Sequence, residues 1–144
     1  MVNESGIKII TLNNILKLES LINNSGDALK TFRYYQNRPL KVINNHLLTI
    51  VYEIEGEPVA YGHLDLEDKK IWLGVMVIES KISQGYGKKI LDYLTSFITI
   101  NKLKNIFLTV DQENLRASKI FKKYGFFKVG LSQTGTVLMK KKDE

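Results

Sequence analysis

Ser83-Gln84-Gly85-Tyr86-Gly87-Lys88-Lys89 is a glycine-containing turn between an apolar run, residues 71–78, and an amphipathic segment that begins near Lys88. Two glycines separated by one residue let the backbone turn sharply, and the free amides at a helix start face any anion that docks there. The stretch therefore predicts a phosphate-binding turn. It lacks the third glycine of a dinucleotide fingerprint, and the chain has no Gly-x-x-x-x-Gly-Lys-Ser/Thr loop for a nucleoside triphosphate.

Hydrophobic periodicity on both sides of this turn predicts an α/β fold with a mixed sheet in one domain, residues 1–144. The predicted strands are residues 7–10, 47–54, 59–66, 70–78, 105–110, 126–131 and 136–140, and the predicted helices are 12–22, 27–32, 88–98 and 113–124. The order β-α-α-β-β-β-α-β-α-β-β requires one parallel strand pair around the helix after the turn. Thr11 is expected to cap the first helix, whose apolar residues are spaced for one buried face: Leu12, Ile15, Leu16 and Ile22.

The composition is that of an ordinary globular protein. The chain has 144 residues, 44% of them hydrophobic, and no cysteine, which excludes disulfides, thiolate zinc sites and a cysteine nucleophile. Residues 1–10 do not resemble a secretory signal, and no run reaches the roughly 18 apolar residues of a membrane span, so we expect a cytoplasmic protein. The net charge of +6 is spread over scattered lysines, which favours a solvated surface, then attraction of a small polyanion, over nucleic-acid binding.

Further motifs stand in order along the chain: Trp72-Leu73-Gly74-Val75-Met76-Val77, Gly85-Tyr86-Gly87-Lys88-Lys89-Ile90-Leu91, Asn114-Leu115-Arg116-Ala117 and Tyr124-Gly125-Phe126. With these intervals, most of the chain resembles the GNAT superfamily of acyl-CoA-dependent N-acetyltransferases. The resemblance implies a V-shaped split between the fourth and fifth strands. It also implies that acetyl-CoA is the donor and that its pantetheine arm inserts into this split almost as an added strand.

The resemblance further implies which residues hold acetyl-CoA. The backbone around Met76 and Val77 would pair with pantetheine, and Asn114 would contact the same arm, although an Asn at a helix start is also a common cap. The amides that would hold the pyrophosphate are those of Ser83, Gln84, Gly85, Tyr86, Gly87 and Lys88. The side chain of Lys88 or Lys89 could add a contact to a phosphate of the cofactor.

Two positions depart from the family pattern. Ile82 stands where the family usually has Arg or Gln, so Gln84 or the backbone amides would substitute. Phe121, beside the cofactor, stands where many members have a Tyr that protonates the departing CoA sulfur. Either the thiolate leaves unassisted, or water serves, or Tyr124 one turn later reaches in; Tyr124 is more simply explained as a core residue.

An alkylammonium must lose a proton before its nitrogen can attack a thioester. Alternation along residues 59–66 places three polar side chains on one face of a strand: Tyr61, His63 and Asp65. His63 is the candidate general base, and Asp65 either orients it or binds the cation of the acceptor. A hydrogen-bonded strand histidine without a catalytic role is the alternative, and Glu53 and Glu79 are further candidate bases. The other histidine, His46, falls in an Asn-rich turn and receives no role.

Residues 32–38, Phe-Arg-Tyr-Tyr-Gln-Asn-Arg, lie where such proteins usually build acceptor specificity. Arg33 and Tyr34 suit a polyhydroxylated or anionic acceptor such as an amino sugar on a nucleotide, with a solvated loop as the alternative. Tyr61 and Trp72 are candidate walls of the acceptor pocket, although Trp72 is also explained as core. We expect a small-molecule N-acetyltransferase, monomeric or homodimeric. The alternatives are a protein or peptide amine as the acceptor, and a non-catalytic acyl-CoA-binding module.

Overall fold

The computed structural model describes residues 5–143, which form a seven-stranded sheet in the order β1-β2-β3-β4-β5-β7-β6. The strands are β1 (Gly6–Ile9), β2 (His46–Ile54), β3 (Glu57–Glu67), β4 (Lys70–Val77), β5 (Ile106–Asp111), β6 (Phe126–Leu131) and β7 (Thr136–Lys141). The α-helices are α1 (Leu16–Asn23), α2 (Tyr86–Ile100) and α3 (Leu115–Lys123). Within this part of the chain, no helix is long and apolar enough to cross a membrane.

The strand pairing confirms the predicted mixed sheet. β1 to β4 form an antiparallel meander, and β5, β7 and β6 form a second antiparallel unit. β4 and β5 are parallel neighbours, with α2 as the crossover between them. A parallel pair needs such a long connection, so the helix that follows the glycine turn joins the two halves of the sheet.

α2 packs closely against β3 because the sequence leaves room for it. The helix begins after Gly85, which has a left-handed φ of 90°, and it buries one apolar face: Ile90, Leu91, Leu94 and Ile98. A Cβ atom at Gly62 would lie 2.4 Å from Cγ2 of Ile90, so only glycine permits this approach. The contact fixes the position of the helix start relative to β3 and β4.

The other face of the sheet is covered by α1 and the segment that follows it. Leu18 and Leu21 of α1 pack into a core cluster with residues of β2, β3 and β4. The predicted buried face of this helix was wrong, because Thr11 caps a separate 3-10 turn, Leu12–Asn14, and Leu12 and Leu16 are exposed. A 3-10 turn has three residues per turn instead of 3.6, so the face rotates between the turn and α1.

The second predicted helix, residues 27–32, is a 3-10 turn at Gly26–Lys30. The backbone amide of Asp27 donates a hydrogen bond to Oε1 of Glu79, 2.7 Å away, just after β4. A Cβ atom at Gly26 would lie 2.5 Å from the same oxygen. The hydrogen bond between Asp27 and Glu79 holds the segment after α1 against the end of β4 and so positions residues 31–38.

Candidate functional site

β4 and β5 separate after a short stretch of pairing, and this opens a cleft in the sheet. In their parallel register, Ile71 pairs with Ile106 and Trp72 pairs with Phe107. Beyond these residues lies a cavity of about 600 Å³, bounded by β3 and β4 on one side and by β5 and α3 on the other. Residues of the segment 31–38 form its remaining wall. The predicted split between the fourth and fifth strands is therefore confirmed.

The edge of β4 that faces this cleft has main-chain groups without a strand partner. The amide of Ile71 donates to the carbonyl of Asn105 before β5, whereas the amide of Ile78 donates to Val59 of β3. Since the pairing side alternates along a strand, Val75 and Val77 point their main-chain groups into the cleft.

The same alternation turns the main chain of Met76 toward β3, where it lies opposite Tyr61. The side chain of Met76 is buried in the core on the α1 side of the sheet. The main-chain groups that an inserted strand-like ligand could pair with are therefore those of Val75 and Val77. This corrects the prediction that the main chain of Met76 pairs with pantetheine.

The glycine turn before α2 presents backbone amides at the helix start. Ser83 and Gly85 have φ values of 72° and 90°, and no side chain caps the first turn of α2. The first amides of a helix have no partner within it, so those of Tyr86, Gly87 and Lys88 are available to an anion. The Lys88 ammonium lies 3.2 Å from the Asp92 carboxylate, and both side chains are mostly exposed.

Arg116 of α3 adds a cation beside this turn. Its Nη1 donates a hydrogen bond to Oγ of Ser83. Arg116 belongs to the third sequence motif, in which no role is predicted for this arginine. Its position at the start of a helix that borders the cleft was the available signal, and the arginine now joins the candidate anion site.

Asn114 and Phe121 both line the cavity from the side of α3. Oδ1 of Asn114 accepts a hydrogen bond from the amide of Ala117 at 3.2 Å, so Asn114 caps α3 and also faces the cleft. The Phe121 ring lies edge-on to Phe126, with 6.0 Å between their centroids. The cleft therefore has an apolar ring at the place where the family pattern expects a phenol.

His63 lies at the inner end of the cavity, on the same face of β3 as Tyr61 and Asp65. This shared face is as predicted, and all three side chains are buried. Nδ1 of His63 is 2.7 Å from the Tyr61 hydroxyl, which is in turn 2.6 Å from the Tyr35 hydroxyl. A Cβ atom at Gly74, opposite on β4, would lie 2.6 Å from Nε2 of His63, so the ring occupies the space that the glycine leaves.

Nε2 of His63 opens into the cavity. His63 is only 2% exposed, yet it lines the cavity, and among the described residues no hydrogen bond involves Nε2. No fully buried polar side-chain atom of this part of the chain lacks a partner, so Nε2 must reach the space of the cleft. One ring nitrogen is thus held by a tyrosine and the other faces the cavity.

His46 belongs to the same cluster, which sequence reasoning missed. It begins β2, and its ring centroid is 4.8 Å from that of His63. The Tyr34 hydroxyl donates to Oδ2 of Asp65 at 2.7 Å, so it accepts from Nε2 of His46 at 2.8 Å, and Nδ1 of His46 accepts from Thr49 at 2.7 Å. The pairing of β2 with β3 sets His46 opposite Asp65, and no local pattern in the sequence indicates this pairing.

Burial sets the proton affinity of both histidines. Burial, then the nearby His46 and Arg38, lower the pKa of His63 well below its ordinary value, and burial is also the main cause of the lowered pKa of His46. Burial likewise raises the pKa of Tyr61 and of Tyr34. At neutral pH the cluster therefore holds neutral imidazoles and phenols around the Asp65 carboxylate.

Segment 31–38 is bound to both sides of the cleft and is not a freely solvated loop. The Arg33 guanidinium forms two hydrogen bonds with the carboxylate of Asp111 at the end of β5, at 2.9 and 3.3 Å. The Arg38 guanidinium lies 4.3 Å from the centroid of the Tyr34 ring and donates to the Tyr34 carbonyl. Arg33, which indicated an anionic acceptor, is thus paired within the protein, and Arg38 contacts Tyr34.

Trp72 lies on β4 opposite Asp65 and lines the cavity with it. The indole is half-buried and its centroid is 5.7 Å from that of Phe107 on β5. Tyr61 contributes to the site through His63, because its own ring is fully buried in the core on the α1 side.

Three predicted acid-base candidates lie elsewhere. The Tyr124 hydroxyl donates to Oδ1 of Asp92 at 2.6 Å on the outer side of α2, away from the cleft, which corrects its assignment as a catalytic acid. The buried Glu53 carboxylate accepts a hydrogen bond from Lys17 at 2.6 Å. Glu79 holds the amide of Asp27. Tyr124 is the C-cap residue of α3, and its hydroxyl reaches Asp92 of α2 and not the cavity that Phe121 lines.

The two depressed histidine pKa values predict acid-sensitive folding. An unfolded histidine takes up a proton near pH 6.5, whereas the folded state resists it, so stability is complete above pH 6.5 and is lost as the pH falls. We expect the free energy of unfolding to fall between pH 7 and pH 5, by up to about 2 kcal/mol from His63 alone. Denaturant unfolding at both pH values measures this. In a His63→Asn variant, the free energy of unfolding should depend much less on pH. The same pH dependence as in the wild type would contradict the lowered pKa of His63.

Comparison with known proteins identifies the class of this fold. The model of the family described as acetyltransferase (GNAT) matches residues 12–126. Comparison with curated protein sequences gives no match.

Similar solved structures cover nearly the whole chain at low sequence identity. The ribosomal-protein-S18-alanine N-acetyltransferase from Escherichia coli has a TM-score of 0.73 at 15% identity and covers 98% of this chain and 95% of its own. The PaiA N-acetyltransferase from Thermoplasma acidophilum, solved in complex with coenzyme A, has a TM-score of 0.76 at 14% identity, with 96% and 99% covered. A probable acetyltransferase from Staphylococcus epidermidis has a TM-score of 0.77 at 12% identity, with 94% and 97% covered.

Proposed function

Since the chain belongs to the acetyltransferase (GNAT) family of acyl-CoA-dependent enzymes, we propose that it transfers acetyl from acetyl-CoA to a primary amine of a small molecule. The observation that carries the proposal is the position of His63. Its free Nε2 opens into the cleft beside Gly74, where β4 and β5 separate. A neutral imidazole next to the strand edge on which the donor would bind supports this proposal.

The residues present fit acetyl-CoA as the donor. The main-chain groups of Val75 and Val77 face the cleft and offer a pantetheine arm the hydrogen bonds of an added strand. The left-handed Gly85 turns the first amides of α2 toward a pyrophosphate, and Arg116 adds a positive charge there. Acetyl-CoA, as co-substrate, supplies the acetyl group.

His63 would accept the proton of the acceptor amine. An alkylamine with a pKa of about 10.4 is neutral in only about one molecule in 2,500 at pH 7, so proton removal limits attack on a thioester. For Nε2 to accept, Nδ1–H must donate to Tyr61, whose hydroxyl then donates to Tyr35. In this arrangement Tyr61 accepts the hydrogen bond from Nδ1–H, which leaves Nε2 as an acceptor.

Neither Phe121 nor Tyr124 supplies a phenol to the leaving thiolate. Phe121 lines the cleft and Tyr124 is bound to Asp92 outside it. A thiol has a pKa of about 8.5, so CoA can depart as a thiolate or take a proton from water. The lack of this phenol therefore does not by itself make the protein a non-catalytic acyl-CoA-binding module.

The Arg33–Asp111 ion pair supports a small acceptor over a protein amine. It joins segment 31–38 to the end of β5, and both residues line the cavity. The E. coli neighbour is named for a protein acceptor, so an exposed peptide amine is the second candidate. The ion pair would have to open for a polypeptide to enter at this end.

The test is amine-dependent release of CoA thiol. The purified protein is incubated with acetyl-CoA and a panel of polyamines, amino acids, amino sugars, sugar nucleotides and peptides with a free N-terminus. We expect release with at least one small amine. Tight acetyl-CoA binding without release by any amine would overturn the proposal, and release only with peptides would move it to the second candidate.

The glycine turn predicts a specific loss of donor affinity in Gly85→Ala. Alanine in a left-handed conformation costs about 1 to 2 kcal/mol, and relaxation of the turn would redirect the amides of α2. We expect the Kd for acetyl-CoA, measured by calorimetry, to rise at least about tenfold.

Gly135→Ala is the matched control for this change. Gly135 has a φ of 85° against 90° for Gly85, and a Cβ atom at either position would meet no atom within 4 Å. Gly135 lies in the β6–β7 hairpin, so its variant should lose similar stability and keep the donor affinity. Equal Kd values for the two variants would remove the turn from the donor site.

A further inference from the structure

We propose that the acceptor carries a second cationic group about 6 to 7 Å from the amine that is acetylated, and that Asp65 and Trp72 bind this group. The inference rests on the proposed function and specifies its substrate class as diamines and longer polyamines.

The spacing comes from the strand. His63 and Asp65 lie two residues apart on one face of β3, and a strand rises about 3.3 Å per residue. Opposite them on β4 stand Gly74 and Trp72, in register with His63 and Asp65. An acceptor whose reactive amine is at Nε2 of His63 and which runs outward along β3 therefore reaches Asp65 next.

Asp65 is a buried carboxylate without a cationic partner. It is 6% exposed, and the Tyr34 hydroxyl donates to one of its oxygens, Oδ2. Within residues 5–143 no ion pair involves Asp65, and no fully buried polar atom lacks a partner, so Oδ1 faces the cavity. A carboxylate removed from bulk water is stabilised strongly by a cation that comes with the ligand.

The protein cations around the cavity are engaged with other groups. Arg33 is paired with Asp111, Arg38 stacks on Tyr34, and the Lys70 ammonium lies 5.4 Å from the centroid of the Phe107 ring. The carboxylates of Glu67 and Asp68 line the outer end of the same cavity. Among the described residues, none of these three cations forms an ion pair with Asp65, Glu67 or Asp68.

Two further observations point to a ligand here. Within residues 5–143, Nε2 of the buried His63 has no hydrogen-bond partner, and it faces the cavity. The indole of Trp72 stands next to Asp65, and an aromatic face beside a carboxylate is a favourable site for an ammonium group. An extended four-carbon diamine, with bonds of about 1.5 Å, places its nitrogens about 6 Å apart and so matches the spacing of the two positions.

The kinetic test compares linear diamines of two to six carbons with the monoamine of the same length, in the wild-type protein. We expect kcat/KM to peak at four or five carbons and to exceed that of the matched monoamine at least about tenfold. In Asp65→Asn this ratio should fall toward one. Glu57→Gln, an exposed carboxylate on β3 outside the cavity, is the control and should keep the ratio.

A binding test does not depend on turnover. Trp72 is the only tryptophan of the chain, so its fluorescence reports on ligands at this position. The protein saturated with CoA is titrated with 1,4-diaminobutane and with butylamine. We expect saturable quenching or enhancement by the diamine at a concentration at least about tenfold lower than for the monoamine.

The outcomes separate the inference from the proposed function. CoA release with monoamines, amino sugars or amino acids at rates equal to those with diamines would overturn the inference and leave the function standing. Equal titration midpoints for diamine and monoamine would overturn it as well. Absence of release with every amine, together with selective diamine binding, would retain the cation site and overturn the proposed reaction.

Discussion

His63→Ala lowers kcat by about 100-fold or more with the best amine, while the Kd for acetyl-CoA stays unchanged. Removal of a general base costs 10²- to 10⁴-fold, because no positioned group then accepts the proton of the bound ammonium. The donor affinity is kept because its candidate contacts are the main chain of β4 and the start of α2, neither of which depends on the imidazole. Steady-state kinetics and calorimetry measure the two quantities.

A pH profile distinguishes a base from a structural histidine. In the variant, kcat should rise steeply with pH as the amine itself loses its proton, and the difference from the wild type should narrow above about pH 10. His46→Gln is the matched control, since His46 is in the same cluster but both of its ring nitrogens bind Tyr34 and Thr49. An equal loss of kcat in both variants, with parallel pH profiles, would assign His63 a structural role.

Gly74→Ala lowers turnover at least about tenfold and lowers the free energy of unfolding by about 1 to 3 kcal/mol. The added methyl group would lie 2.5 Å from Cε1 and 2.6 Å from Nε2 of His63, which is shorter than any normal contact. The imidazole is held by Tyr61 on its other side, so it must tilt away from the cleft or push β4 outward. Either movement misplaces the base relative to the donor.

A double-mutant cycle identifies the cause of this loss. In the His63→Ala background the clash is absent, so Gly74→Ala should cost little further stability or turnover. Gly130→Ala on β6 is the control for the substitution itself, because a Cβ atom there would lie 3.8 Å from its nearest neighbour, Leu138. Additive effects of the two mutations would show that Gly74 acts independently of the His63 ring.

Local patterns predicted most of what positions the donor. The paired glycines predicted the turn before α2, and strand alternation placed Tyr61, His63 and Asp65 on one face of β3, as the structure shows. These features depend on residues that are near neighbours in sequence. Period-two alternation and a left-handed glycine require no knowledge of distant contacts.

Contacts between distant segments were not predictable in the same way. Asn44 and Asn45 before His46 indicated a polar turn, and only the pairing of β2 with β3 brings that imidazole to Tyr34 and Asp65. Met76, and not Val75, was predicted to pair with pantetheine, because a sequence motif does not show which edge of a strand is already paired. The engagement of Arg33 by Asp111 joins residues 78 positions apart, so its charge looked free in the sequence.

Mutations should affect the open edge of β4 less than they affect the side chains on the acceptor side of the cleft. The candidate donor contacts of this edge are main-chain groups, which are the same whatever side chains the strand carries, whereas the acceptor side is made of the side chains of β3 and of segment 31–38. Under the proposed function, substitutions at Asp65, Glu67 or Tyr34 should therefore redirect the choice of amine without altering the strand edge proposed for CoA. We expect acceptor preference and donor use to be separable traits, so that selection or laboratory evolution can change one while the other is inherited intact.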